Sequence, residues 1–297
     1  MVFCVFSFNR GRFLANCIQS IERCAPGARI IVFDDDSDDP ETRKVLQSVA
    51  ASHRVEQPGN RSSHRLGGLY GNMQSALELC GDEETLCFLQ DDTQLVRPLL
   101  EEDLSEIESL FADIPELGFI SPCFIRGRTL DRGAAFDYDE QHHLYFRKPD
   151  QRSSGIHFSA LLITKPARLI EAGWQFEGSE PRNDEQAARL FGRMGYLHAP
   201  FAMWLPEVPA YRGKKKTLGL KLAEKKRRCG YYPFEIMDEA QARALRQRDP
   251  SALPRAEDFL RCSPHEPAKP WAYNPLTDTG WIKLLNQVEV KLRRLFG

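Results

Sequence analysis

Leu86-Cys87-Phe88-Leu89-Gln90-Asp91-Asp92-Thr93 runs a stretch of apolar residues into two adjacent carboxylates, the pattern of a buried strand that ends in acid. An ionised carboxylate taken out of water is costly unless a base, a cation or solvent meets it. In an open α/β sheet, ligands sit in the crevice at the carboxyl ends of the strands. Asp91 and Asp92 there would offer hard oxygen ligands to a divalent cation, and through it to a diphosphate. A plain strand followed by a polar turn has the same local pattern, so the surrounding chain decides.

Upstream, Val2 to Phe8 reads as a buried first strand and Asn9-Arg10-Gly11-Arg12 as the turn after it. Phe13, Leu14, Cys17, Ile18 and Ile21 recur at helical spacing, Pro26-Gly27 stops that helix, and Arg29 to Phe33 is a second strand. Strand, helix, strand begins a parallel sheet. The second strand closes in Asp34-Asp35-Asp36-Ser37-Asp38-Asp39. Such a run also suits a solvated turn in which Ser37 or Asp39 caps the helix opened by Pro40, and only the first acids need face a ligand. Leu66 to Asn72 is a glycine-rich approach to a helix around Met73 to Leu79. Its glycines let backbone come close to a ligand, but the Lys-Ser/Thr ending of a P-loop is missing. Arg61 and Arg65 either meet phosphates or a base, or lie on the surface.

In order, Phe6 to Arg10, the D-D-x-S-x-D run Asp34 to Asp39, Gly67 to Asn72 and the DXD-like Gln90 to Asp92 resemble the family 2 glycosyltransferases of the GT-A fold. The resemblance implies an α/β fold: a Rossmann-like, mostly parallel sheet flanked by helices, with a helical and irregular C-terminal extension. It implies a nucleotide diphosphate-sugar donor, a UDP-sugar first, bound by Phe8, Asn9, Arg10, Asp34, Asp35, Arg65, Gly68, Asn72, Gln90 and Asp91. It also implies Mn²⁺ or Mg²⁺ on Asp92 with Asp91. One position departs from the family, which often has Gly before the Ser, where Asp36 stands here.

Downstream, Val96 to Leu110 reads as a helix with Pro98 at its start, Leu117 to Pro122 as a strand, and 127–154 as a polar stretch fit for a hairpin and part of an acceptor pocket. Ser159 to Thr164 is a short strand, and Pro166 opens a helix that Gly173 stops. Asn183-Asp184-Glu185-Gln186 then opens a helix with Ala187, Leu190, Phe191 and Met194 inward. Acids in a first helical turn suit the helix dipole by themselves. The order nevertheless resembles the acceptor half of the same family, with Arg193 to Tyr196 as its R-x-x-G ending. It implies Asp184 or Glu185, Asp184 first, as the base that deprotonates a glycan, lipid-linked or protein acceptor. A single displacement of this kind inverts the anomeric centre.

The 297 residues are 28% charged and 42% hydrophobic, an ordinary globular composition. The net charge of -2 hides an asymmetry: residues 213–297 hold 18 Lys and Arg against 10 Asp and Glu, and residues 1–212 hold 22 against 32. The expected organisation is a glycosyltransferase domain over 1–212, its nucleotide half about 1–95 and acceptor half about 96–212, followed by a basic extension over 213–297. In the extension, Arg212 to Lys216 would close over a diphosphate or be solvated, and His265 is a further candidate metal ligand. Trp281 to Phe296 has Trp281, Leu285, Val288 and Leu292 on one face of a basic amphipathic helix, which docks on its own domain, pairs with another chain or lies on an anionic membrane. Eight cysteines without a CxxC pair point to reduced structural thiols. No apolar run is long enough to span a bilayer, and no signal peptide is evident. The expected location is cytoplasmic, with contact at the inner membrane face, in a role such as polysaccharide biosynthesis and without nucleic acid. Two other functions compete: a non-catalytic nucleotide- or glycan-binding scaffold, and a nucleotidyltransferase, disfavoured because its glycine-rich basic loop after the first strand is missing.

Overall fold

The structure, a computed structural model, describes residues 1–57, 68–83, 85–126, 135–149, 155–210 and 216–295. Arg61, Arg65, Gly67 and the basic run 212–215 lie outside them. The chain opens with β1 (Val2–Ser7), α1 (Gly11–Cys24), β2 (Arg29–Asp34), α2 (Pro40–Val49) and β3 (Arg54–Glu56), then α3 (Gly68–Leu79), β4 (Leu86–Gln90) and β5 (Thr93–Leu95). β1 is buried along its whole length, as an uninterrupted apolar run between two helical layers requires. It pairs in parallel with β2 on one side and β4 on the other. The chain therefore steps outward from β1 to β3 and returns on the far side, which makes the β1/β4 boundary the switch point where a crevice opens.

The second half contains α4 (Glu101–Asp113), β6 (Ile120–Ser121), β7 (Phe136–Asp139), β8 (Leu144–Arg147), β9 (Leu162–Thr164), α5 (Pro166–Glu171), α6 (Glu180–Leu190), β10 (Gly195–Leu197) and β11 (Ala202–Trp204). The main sheet has the order β3-β2-β1-β4-β9-β6-β10-β8-β7. β9 is antiparallel to both β4 and β6, so the sheet is mixed, and the expected α/β architecture holds. The polar stretch after Ile125 does contain a hairpin, β7–β8.

Two helix starts differ from expectation. Thr93–Leu95 pairs with β11 instead of leading into a helix. Arg97 is then buried against Asp103 through two hydrogen bonds of 2.7 and 2.8 Å, and the Asp103 carboxylate accepts the Leu100 N–H at 2.8 Å. Pro98 thus precedes the helix, and α4 begins at Glu101. α6 begins at Glu180, because Pro181 has the fixed φ suited to a first turn. Asp184 consequently stands one turn inside the helix, away from its N-terminal dipole.

The last segment adds α7 (Leu218–Arg227), α8 (Glu239–Arg246), α9 (Ala256–Phe259) and α10 (Trp281–Leu295). Phe234, Leu245, Leu260 and Trp271 belong to the same core cluster as Val5, Leu89 and Leu95. The Gln94 amide accepts the Phe234 N–H at 2.9 Å and donates to its carbonyl at 2.7 Å. Arg246 pairs with Asp103 and, at 2.7 Å, with Glu106. α10 docks on α7 where Gly219 leaves no room for a side chain: a Cβ there would lie 2.6 Å from the Asn286 nitrogen. All eight cysteines are free, and seven are buried. Among the described residues no helix is long and apolar enough to cross a membrane.

Gly11 imposes the other close approach. Its N–H donates to Thr42 Oγ1 at 2.8 Å, and a Cβ on it would stand 2.7 Å from the Thr42 Cα and nitrogen. Gly11→Ala is expected to push α1 from α2 and destabilise the protein by about 1–3 kcal/mol. The urea midpoint measures this, and an unchanged midpoint would show that the contact relaxes without cost.

Candidate active site

The carboxyl ends of β2, β1 and β4 lie side by side and carry the acids. Asn9, after β1, has φ 52° and is buried. Its amide oxygen accepts the N–H groups of Asp38 and Asp39 at 2.9 and 2.8 Å, and its Nδ2 donates to Asp38 at 2.6 Å. Its side chain therefore ties the turn after β1 to the loop after β2. Asp34 is fully buried and faces its own loop, accepting the Ser37 N–H at 2.8 Å and the Ser37 hydroxyl at 2.6 Å. Asp39 caps α2 by accepting the Thr42 N–H and hydroxyl at 2.8 and 2.7 Å. Asp36 adopts φ 59°, a left-handed conformation that Gly takes freely and Asp tolerates, which accounts for the residue found where the family often has Gly.

Asp35 is the acid left over. Burial, then the neighbouring Asp34 and Asp36, raises its pKa above the usual carboxylate range. Its carboxylate lies against Gly68, the first residue of α3, where an added Cβ would stand 1.7 Å from Asp35 Oδ2. A carboxylate at a helix start is favoured by the dipole, and Gly68 is the residue that admits it. Asn72 is buried one turn further along α3.

Asp91 and Asp92 share one cation. Asp91 is buried; its carboxylate accepts the Phe8 N–H at 3.1 Å and an Arg10 Nη1–H at 3.3 Å. The same Nη1 donates to Asp92 Oδ2 at 2.5 Å. Burial pushes the Asp91 carboxyl up to about 7 even though Arg10 pulls it down. Burial alone would weaken the Arg10 charge, but Asp92 and Asp91 outweigh it and hold the guanidinium protonated. Gln90, half-buried, ends β4 beside them. Asp92 Oδ1, Ser7 Oγ and Thr93 Oγ1 are buried without a hydrogen-bond partner. An orphaned buried oxygen costs about 1–3 kcal/mol, and three at one crevice suit donors or a cation that arrive with a ligand. Among the described residues no three His, Cys, Asp or Glu side chains converge as a ready cation site. A cation here would take Asp92 and Asp91 from the protein and its other oxygens from diphosphate and water, a usual arrangement for Mg²⁺. His265 does not join them: it is exposed and lines another cavity, of about 950 Å³, with Lys226, Arg228 and Tyr232.

α6 turns two carboxylates inward. Asp184 Oδ1 accepts three backbone N–H groups, from Gly155 at 3.2 Å and from His157 and Phe158 at 2.9 Å each. Glu180, one turn earlier, lines a cavity of about 250 Å³ with Arg126, Arg147, Tyr196 and Trp204. Burial raises its pKa, Arg126 offsets part of that, and Asp184 adds to it. Glu185 is on the outer face, 72% exposed and paired with Arg189 at 3.3 Å. The structure thus places the two acids that the sequence offered as the base on different faces of α6, Asp184 inward and Glu185 outward. The cavity connects to Asp91 and Asp92 through Trp204, which pairs with Thr93, and through Leu205, whose N–H donates to the Asp92 carbonyl at 2.8 Å. Arg126 stacks between Trp204 and Tyr273, 4.3 and 5.0 Å from their ring centres. α3 joins the two sides, with Gly68 against Asp35 and with Tyr70, whose phenol burial and then Glu180 push up.

Glu180 and Arg126 were missed in the sequence. The first had a signal, since Pro181 marks a helix start and a spacing of four places Glu180 and Asp184 on one face. The second had none, because its stacking partners lie far away in the chain.

The site thus has acids at the switch point of an α/β sheet and a second set of carboxylates on α6. The model of glycosyl transferase family 2 matches residues 2–156, just over half of the chain. The chain belongs to that family, is a glycosyltransferase, and carries its GT-A fold. Among solved structures, the crystal structure of an active-site mutant of LgtC is similar at 11% identity and a TM-score of 0.35, over 66% of this chain and 72% of that one. No curated protein matches the chain.

Asp91 makes the site pH-sensitive. Its carboxyl ionises near 4 when unfolded and at about 7 in the fold. The folded state therefore holds the proton more tightly, and stability falls as pH rises from about 4 to about 7. Asp91→Asn should flatten this fall when urea midpoints at pH 5 and 8 are compared; equal slopes in both proteins would refute the assignment.

Proposed function

We propose that the chain transfers a sugar from a nucleoside diphosphate donor, a UDP-sugar first, to an acceptor hydroxyl, with inversion. What supports this reading is the orphaned Asp92 Oδ1 at the end of β4, tied through the Thr93–Trp204 pairing to a cavity that Glu180 of α6 lines. Asp35 accepts a hydrogen bond from the nucleobase, and its neighbours hold the loop that aims it. Asp92 and Asp91 would hold Mn²⁺ or Mg²⁺, whose charge would offset that of the departing diphosphate. Arg10 turns its positive charge to the same phosphates as it releases the acids.

Asp184 takes the proton of the acceptor hydroxyl on Oδ2. Three N–H groups fix Oδ1, so the second oxygen has one direction, and a fixed base needs no reorganisation as the hydroxyl attacks. Glu180, Arg126 and Trp204 form the wall against which the acceptor lies. Glu185 takes no part.

A thermal-shift series of nucleoside diphosphates with and without Mn²⁺ tests donor binding, since a ligand at 100 times its Kd adds ~2.7 kcal/mol of stability. No shift with any nucleotide would remove the donor site. Asp35→Ala should cost about 1–3 kcal/mol of nucleotide affinity by calorimetry, whereas unchanged affinity would make that acid part of the turn alone.

The two acid sites should fail differently. Asp92→Ala should abolish turnover together with the Mn²⁺-dependent part of nucleotide binding. Asp184→Asn keeps a carbonyl oxygen for the three N–H groups, so the fold and donor binding should persist while kcat drops ~10²- to 10⁴-fold. Glu185→Gln should turn over at the wild-type rate. A loss in Glu180→Gln with none in Asp184→Asn would move the base one turn back along α6.

A further inference from the structure

α10 docks through one face and leaves another open. Ile282 is buried, and Asn286 and Glu289 meet α7: Asn286 Oδ1 accepts the Thr217 hydroxyl at 2.5 Å and Glu289 accepts the Leu218 N–H at 2.6 Å. On the other side Trp281, Leu284, Val288 and Leu292 are 67, 61, 46 and 48% exposed. Their spacing of three, four and four residues puts them in a straight line of about 16 Å at 1.5 Å per residue. Leu218, 57% exposed beside Glu289, continues the apolar surface onto α7. A row of four large apolar side chains on one helix is more than the scattered exposure of an ordinary surface.

We propose that this face docks the enzyme on an anionic phospholipid surface. The charges commit it to that partner. Lys291 is exposed on α10 beside Leu284 on the helix surface, Lys221 and Lys225 are exposed on the Leu218 face of α7, and none has an ion pair among the described residues. Residues 213–297 carry a net charge of +8, whereas 1–212 carry -10. An anionic bilayer therefore attracts this end of the molecule and repels the rest, while a second copy would bring like charges together. The apolar row enters the headgroup boundary, where Trp281 suits the interface, and the lysines stay with the lipid phosphates. Apolar contact and basic charge act together, since either alone binds weakly.

The test is sedimentation of the full chain with vesicles of phosphatidylcholine alone and of an equal mixture with phosphatidylglycerol. Binding should require the anionic lipid and weaken as salt is raised. Leu284→Ser with Val288→Ser should lower affinity about tenfold or more, and Lys225→Glu with Lys291→Glu should lower it while leaving the apolar row intact. Circular dichroism checks the fold of both, and neither pair touches the donor or acceptor side, so activity in solution should persist. Equal binding to both vesicle types, or wild-type binding by either double variant, would overturn the proposal. So would a dimer in light scattering that the serine variant turns to monomer without vesicle binding in the wild type.

Discussion

A carboxylate at the end of a buried strand has to find positive charge, and the burial of Asp91 sets that condition for the whole site. Arg10 and the Phe8 N–H meet it from the next strand, so the turn after β1 is held against the end of β4 by hydrogen bonds to one side chain. The same guanidinium reaches Asp92, leaving two acids with one cation. A crevice with this balance is short of positive charge.

The acid loop after β2 divides its labour. Asp34 and Asp39 are spent on Ser37 and Thr42, Asp38 bonds Asn9, and Asp36 supplies a left-handed backbone. These four roles aim Asp35 at the crevice. A cluster of like charges that would repel itself in solution is tolerated because most members bond backbone or hydroxyl donors instead of facing one another.

The parallel start of the sheet and the acid clusters were legible because they depend on local pattern: apolar runs, acids where they end, and Pro or Gly at turns. The two helix starts were not. Val96 to Leu110 carries a helical pattern, but Gln94 pairs with Phe234 and Arg97 with Asp103, and those tertiary bonds hold the chain extended until Glu101. In the site, Asp184 and Glu185 are adjacent letters that point 100° apart on a helix, and only the positions of Gly155 to Phe158 decide which one faces inward. The face of α10 is the same kind of case: apolar residues surround much of the helix, so Leu285 and Leu284 exchange roles once Asn286 is fixed against Gly219.

The interlock between Gln94 and Phe234, with Arg246 on Asp103 and Trp271 in the core, also bears on how the protein is made. During synthesis the β1–β4 half emerges first, yet Gln94 of β5 and the α4 acids wait for partners about 140 residues later in the chain. Until those residues leave the ribosome, Gln94 and Asp103 lack their final neighbours and apolar surface near Leu95 stays open. Loop closure over such a span is slow. The nascent chain therefore passes through a stage in which its sheet exists but its core is unsealed, the stage at which a chaperone has most to hold.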